Sequence, residues 1–190
     1  LPFYRGRNIL NWVLINDDKE FGITVHFVDE GIDTGDIISQ KTFPITDLDS
    51  YKTLLNTSYS ACANILYESL VQIAENNFER IIQKTIHPVG FYCGMRSQGD
   101  EVINWNNNSR NLFNFIRSIS KPGPIARTNN GINEITINKS TFIKEAPVYI
   151  GTVGQVLSKT ENGFLVKTKD SFIEISEIEG RLKVGDKLGK

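Results

Sequence analysis

An acidic turn with a glycine on each side, set between two alternating segments, constrains this chain more than any other stretch. Residues 20–38 read EFGITVHFVDEGIDTGDII. Ile23, Val25 and Phe27 alternate with Thr24, His26 and Val28, a period of two that predicts a strand over 21–28. A second strand is expected over 36–43, ended by Pro44. Between them Gly31 and Gly35 bracket Asp33. Glycines there permit positive φ and close backbone approach, so the turn can aim Asp33 into a cleft. A short constrained loop around one carboxylate is how a scaffold fixes a catalytic or ligand-holding group. A polar hairpin whose Asp33 bonds its own backbone as an Asx-turn fits the same local pattern.

The flanks read as mixed α and β. Residues 8–16 predict a short helix with Asn8 as N-cap and Ile9, Trp12 and Val13 on one face. After Pro44, a long helix is expected over about 50–76, with Leu55, Tyr59, Cys62, Leu66 and Ile73 on its core stripe. A helical turn near 78–82 and an extended His87-Pro88 segment follow. Another helix is expected after a cap at Asn108 or Ser109, with Leu112, Phe113, Ile116 and Ile119 on one stripe. From Gly131 onward short apolar runs at 132–137, 148–150, 153–156, 164–166 and 172–175, with turns at 161–163 and 169–171, suggest a small β-barrel.

Charge separates the halves. Net charge is −1 overall, but residues 1–93 sum to −5 and residues 94–190 to +4. That balance gives no sign of wholesale binding to nucleic acid or anionic membranes, and the mildly basic second half suits an anionic ligand such as a pyrophosphate or a tRNA backbone, and equally a solvated surface. Cys62 and Cys93 are too few and too far apart for a disulfide framework or a metal site. Cys62 is expected in the core, and a reduced, cytoplasmic setting is the default expectation. No apolar run long enough for a membrane span occurs.

Several elements in matched order resemble the formyltransferases that use 10-formyltetrahydrofolate: Leu1-Pro2-Phe3-Tyr4-Arg5-Gly6, then Trp12, then Gly22-Ile23-Thr24, then Gly31-Ile32-Asp33-Thr34-Gly35. Further on, Arg96 to Trp105 resembles the R-x-x-x-D-x-x-I-[DN]-W stretch of members that formylate a sugar or aminoacyl-tRNA amine. Lys121-Pro122-Gly123-Pro124-Ile125-Ala126 is similar to the family's P-x-P-G-A turn, with the order changed to Pro-Gly-Pro. Gly151 to Val156 and Gly163 to Thr168 resemble its OB-like C-terminal module. The resemblance implies an α/β fold: the C-terminal part of a Rossmann-like catalytic domain over 1–93, a linker and helix bordering the acceptor cleft over 94–130, and a small OB-like β-barrel over 131–190. It also implies that the family's catalytic Asn and His precede Leu1. The sequence is therefore expected to be a piece lacking both and inactive by itself.

By the same resemblance Asp33 is the catalytic carboxylate, supporting a histidine and placing a water that relays a proton. The backbone of Gly31, Ile32, Thr34, Gly35 and Asp36 contacts the pterin of 10-formyltetrahydrofolate, the cosubstrate. Arg5, Arg96, Arg117 and Lys121 are the candidates for the phosphates of a dTDP- or UDP-linked amino sugar. No metal is expected, and a homodimer is compatible with the reading without being specified by it. Methionyl-tRNA is the alternative acceptor, disfavoured because the basic excess is small for gripping tRNA. His26 on its strand is expected to be structural or supporting, and His87 a surface residue. Two readings lie outside the family. Asp33-Thr34-Gly35 also matches the D-T-G of aspartic proteases, but a second copy is missing and the long helix does not suit that fold. A nonenzymatic nucleic-acid-binding barrel is the other, set against Tyr149, Phe164 and Phe172, which read as core.

Overall fold

A computed structural model describes residues 1–189. The chain separates into two compact units: Leu1–Val13, Asp18–Thr46 and Thr53–Ser97 form the first, and Leu14–Asp17, Asp47–Lys52 and Gln98–Lys190 the second. Among the described residues no helix is long and apolar enough to cross a membrane.

The first unit opens with β1 (Arg5–Gly6) and α1 (Ile9–Ile15). Asn8 does not cap this helix through its side chain. Its φ is +57°, and its Oδ1 accepts the Arg96 amide at 3.0 Å. β2 (Glu20–His26) and β3 (Ile37–Pro44) pair antiparallel from Glu20 opposite Pro44 to Val25 opposite Ser39, with Phe21 and Phe43 stacked across the ladder. A register shift after Val25 then sets His26 opposite Ile37. Such a bulge turns a side chain away from its regular alternation.

α2 (Tyr51–Ala74) follows, with Leu54, Ile65 and Ser69 as its buried line. That line is one residue out of phase with the predicted stripe: Tyr59 is 71% exposed, Leu66 49%, and Cys62 is also exposed. The apolar doublets Leu54-Leu55 and Ile65-Leu66 offer two faces of similar hydrophobicity, so periodicity alone does not choose between them. Buried Ser69 donates its hydroxyl to the Ile65 carbonyl at 2.8 Å, so no polar atom is stranded there. The helical turn expected at 78–82 lies later, as α3 (Gln83–Ile86), because Ile81 is held extended by two 2.9 Å hydrogen bonds with Ile37. β4 (Tyr92–Cys93) closes the unit by running parallel to β1, Arg5 opposite Tyr92.

In the second unit α4 (Ser109–Ser118) is capped by Asn108, whose side chain accepts the Asn111 amide at 2.7 Å. β5 (Ala126–Asn129), β6 (Glu134–Thr141), β7 (Val156–Lys159), β8 (Gly163–Lys167) and β9 (Phe172–Glu179) form one antiparallel sheet in the order β5-β6-β9-β8-β7. α4 packs on β6 and β9. Leu112, Ile116 and Ile119 meet Ile135, Ile137, Ile173 and Ile175 in a fully buried core. Each such side chain contributes about 1.5–3 kcal/mol through the water it sheds.

The sheet does not close on itself, since β5 and β7 stand at opposite ends of the order. Their outer edges are nonetheless occupied. Arg127 of β5 exchanges backbone bonds with Glu101 and Ile103 at 2.8 Å each, while Gly154 and Val156 bond to residues 185–188. The strand expected at 148–150 is absent. Val148 and Ile150 face solvent there, and only Tyr149 is tethered, its amide donating to the Asp170 carbonyl at 2.9 Å.

Candidate active site

The loop joining β2 to β3 is fastened at its base by the Phe27 amide, which donates to the Asp36 carbonyl at 2.9 Å. Inside it, Asp29 makes the Asx-type turn. Its Oδ1 accepts the Gly31 amide at 3.1 Å and the Thr34 hydroxyl at 2.5 Å. The Thr34 hydroxyl is the main reason the Asp29 carboxyl is held below the usual range. Asp33 is left for another partner. Its backbone takes the left-handed conformation at φ +55°, a region Asp tolerates better than most residues, and its Oδ2 accepts the Gly6 amide at 2.8 Å. Neither neighbouring glycine has positive φ; both are required by crowding. A Cβ on Gly35 would lie 1.7 Å from the Phe27 carbonyl oxygen, and one on Gly31 2.1 Å from the Thr34 hydroxyl.

Asp33 lines a cavity of ≈ 700 Å³ within the first unit, together with Tyr4, Phe21, Thr24, His26 and Gln40. The Asp33 side chain is 38% exposed, and its Oδ1 lies 3.7 Å from His26 Nε2. The other ring nitrogen, Nδ1, is 2.8 Å from the Phe27 carbonyl, which only accepts. Nδ1 therefore carries a hydrogen, and Nε2 is the ring nitrogen that faces Asp33. A proton or a water can be shared between the two groups. Gln40 donates to the Thr24 hydroxyl at 2.7 Å, and the Tyr4 hydroxyl donates to the Asp18 carboxylate. The lining combines apolar side chains such as Leu10, Val13 and Phe21 with the Asp33 carboxylate and the His26 imidazole. Among the described residues no group of three His, Cys, Asp or Glu gathers to hold a metal.

The other residues singled out in the sequence scatter. Of the loop, Asp33 alone is among the cavity's lining; Ile32 is exposed, Gly35 is buried, and Asp36 pairs with Arg80 at 3.4 Å. Arg5 is buried, its guanidinium bonded to Gln83 Oε1 through Nε at 3.1 Å and Nη2 at 2.6 Å. Arg96 stands over the Trp12 ring at 5.7 Å. Within the second unit Arg117 is buried, bonded to Asn114 Oδ1 at 3.0 Å and the Asp49 carbonyl at 3.3 Å. Burial, and then Arg110, push its pKa down. Lys121 is exposed and 3.4 Å from Glu179. His87 is exposed, its Nδ1 accepting the Gly90 amide at 2.9 Å. Sequence reasoning passes over Gln83, a buried amide that no local pattern marks, and the Gly6 amide, which no side-chain motif reports.

The model of the formyl transferase domain matches residues 1–70, and that of the formyl transferase C-terminal domain matches residues 96–184. The methionyl-tRNA formyltransferase of Pelotomaculum thermopropionicum is 33% identical over 99% of this chain and 60% of its own length. Two sugar enzymes are similar in structure. WlaRD, a sugar 3N-formyl transferase solved in the presence of dTDP and 5-N-formyl-THF, gives a TM-score of 0.70 at 29% identity over 96% of this chain and 63% of its own. The N-formyltransferase of Helicobacter canadensis, solved with folinic acid and dTDP-3-aminofucose, gives 0.70 at 29% identity over 94% and 63%. The chain thus spans about 60% of the length of the methionyl-tRNA enzyme it matches. With both domain models matched in order and the Asp33 turn at the cavity wall, the chain belongs to the formyl transferase family.

Proposed function

We propose that this chain supplies the proton-handling carboxylate of an enzyme that transfers a formyl group from 10-formyltetrahydrofolate to the amine of a nucleotide-linked amino sugar. The observation that carries the reading is Asp33, tied through Oδ2 to the Gly6 amide at 2.8 Å while lining a cavity of ≈ 700 Å³. The formyl-folate and dTDP compounds bound by the two sugar formyltransferases support the donor and acceptor classes.

In the reaction the amine nitrogen bonds to the formyl carbon, and the carbonyl oxygen takes up the negative charge. The new ammonium must lose a proton before the bond from carbon to folate nitrogen breaks. Asp33 Oδ1, free of the Gly6 bond, takes that proton directly or through a water shared with His26, and returns it to the departing nitrogen. The oxyanion requires hydrogen-bond donors aimed at the formyl oxygen. The backbone of Gly31, Ile32, Thr34, Gly35 and Asp36 meets the pterin. Of the four candidate cations for the acceptor's phosphates, Arg5 and Arg117 commit their guanidinium groups to protein acceptors, Lys121 lies 3.4 Å from Glu179, and Arg96 stands over the Trp12 ring. We also assign the sheet of the second unit to the OB-like class.

Methionyl-tRNA is a second reading, favoured by the methionyl-tRNA enzyme at 33% identity. The test is tetrahydrofolate release by the chain extended with the relatives' upstream segment, offered dTDP- and UDP-amino sugars and methionyl-tRNA in parallel. Sugar-dependent release that falls about 100-fold or more in Asp33→Asn is expected. Release with methionyl-tRNA alone refutes the sugar assignment, and wild-type turnover in Asp33→Asn removes Asp33 from the mechanism.

A further inference from the structure

Gln83 is 2% exposed and uses its whole amide. Its Nε2 donates to the carbonyls of Asp33 at 2.9 Å and Gly35 at 2.7 Å, while its Oε1 accepts both Arg5 bonds. The amide's orientation follows from these partners. Turned over, it would set oxygen against two carbonyls and hydrogens against a guanidinium. Arg5 is itself buried, stands 5.4 Å over the Tyr92 ring, and is fixed through its amide to the Phe91 carbonyl at 3.1 Å. The next residue, Gly6, supplies the amide that binds the Asp33 carboxylate. The Arg5-Gly6 step therefore reaches the Asp33 turn twice, directly at the carboxylate and through Gln83 at the carbonyls.

We propose that Gln83, oriented by Arg5, is a positioning residue for Asp33, and that Arg5 serves the loop rather than the acceptor's phosphates. The inference rests on the reading that Asp33 serves formyl transfer. Asp33 sits at φ +55°, a conformation kept only where its surroundings over-determine it. Gln83 holds the Asp33–Thr34 and Gly35–Asp36 peptide groups. Without it two carbonyls lose their donor and the turn can relax, moving the carboxylate away from the amine. Displacement on the order of 1 Å is enough to cost about 100-fold in rate.

The test compares Gln83→Met, Gln83→Glu, Arg5→Lys and Asp33→Asn in the extended enzyme described above. Gln83→Glu keeps an acceptor for Arg5 but presents oxygen to both carbonyls, so it preserves the buried pair while undoing the clamp. Both Gln83 variants are expected to lose about 10–100-fold in kcat with KM for either substrate within about threefold. Arg5→Lys is expected to give an intermediate loss. Hydrogen exchange at the Gly6 amide should quicken in both Gln83 variants while amides in the β2–β3 ladder hold their protection. Wild-type kcat in Gln83→Glu and Gln83→Met, beside an impaired Asp33→Asn, overturns the positioning role alone. Wild-type kcat in Asp33→Asn overturns the underlying reading and this inference with it. Exchange that quickens throughout the unit makes Gln83 a packing residue and also overturns the proposal.

Discussion

Replacing Asp170 by Asn tests the electrostatics of the second unit most directly. Asp170 Oδ1 collects four donors: the Ser109 amide and hydroxyl at 2.8 Å each, the Thr168 hydroxyl at 2.9 Å and the Ser171 amide at 2.9 Å. Ser109 is the first residue of α4, so the carboxylate also faces the positive end of that helix. Burial alone would raise its pKa, but the bonds from Ser109 and Thr168 outweigh burial and hold it below the ordinary carboxylate value. Asn keeps one oxygen acceptor and removes the charge. Hydrogen bonds to a charged acceptor contribute about 1 kcal/mol more than neutral ones. Counting the two Ser109 bonds, and trimming the remainder for partial exposure, gives a loss of about 2 kcal/mol at pH 7. With a urea slope of roughly 1–2 kcal/mol/M, the midpoint should fall by about 1–2 M. Trp105, buried with its indole N–H on Thr128 at 2.9 Å, reports this unit in a Trp12→Phe background. Because the folded pKa is depressed, the stabilisation is complete above the unfolded value near ~3.9 and is lost as pH falls through the folded value. The gap between wild type and variant should hold from pH ~7 to ~5 and close below ~4. A gap under about 0.5 kcal/mol at pH 7, or one that widens toward pH ~3, refutes the argument.

Two further outcomes concern the first unit. Gly35→Ala should cost about 1–3 kcal/mol and abolish most turnover, because its Cβ would meet the Phe27 carbonyl oxygen at 1.7 Å; calorimetry showing an unchanged Tm contradicts this. Cys62, exposed on α2, should react with a disulfide reagent at the rate of a free thiol. Burial, and then Asp18, push the Cys93 thiol pKa up and slow its reaction, so two equal rates in the native protein would count against the geometry.

What the sequence made legible follows the strength of its periodic signals. The β2–β3 pair, α2 and α4 stand where alternation and caps place them, because the patterns at 21–28 and 108–119 each have one apolar face. The core face of α2 was not legible, since adjacent leucines and isoleucines fit two phases and neighbouring structure selects one. β1, β4 and β5 escaped because a two- or four-residue strand such as Ala126–Asn129 carries too few alternations to read. At the site, the glycines announced a constrained turn but suggested the wrong reason for it: Asp33 adopts the unusual φ, and the glycines relieve crowding. Gln83 could not be read at all, because its partners lie 50 and 78 positions away.

The irregular segments at 101–103 and 185–188 have a consequence for solubility. Both flanking ladders of the five-stranded sheet spend backbone groups on the chain's own coil, so neither offers a ready template to a neighbouring molecule. A version cut short at Lys183 would uncover Gly154 and Val156 and also take Leu188 out of the core, so self-association and a weakened interior would arrive together.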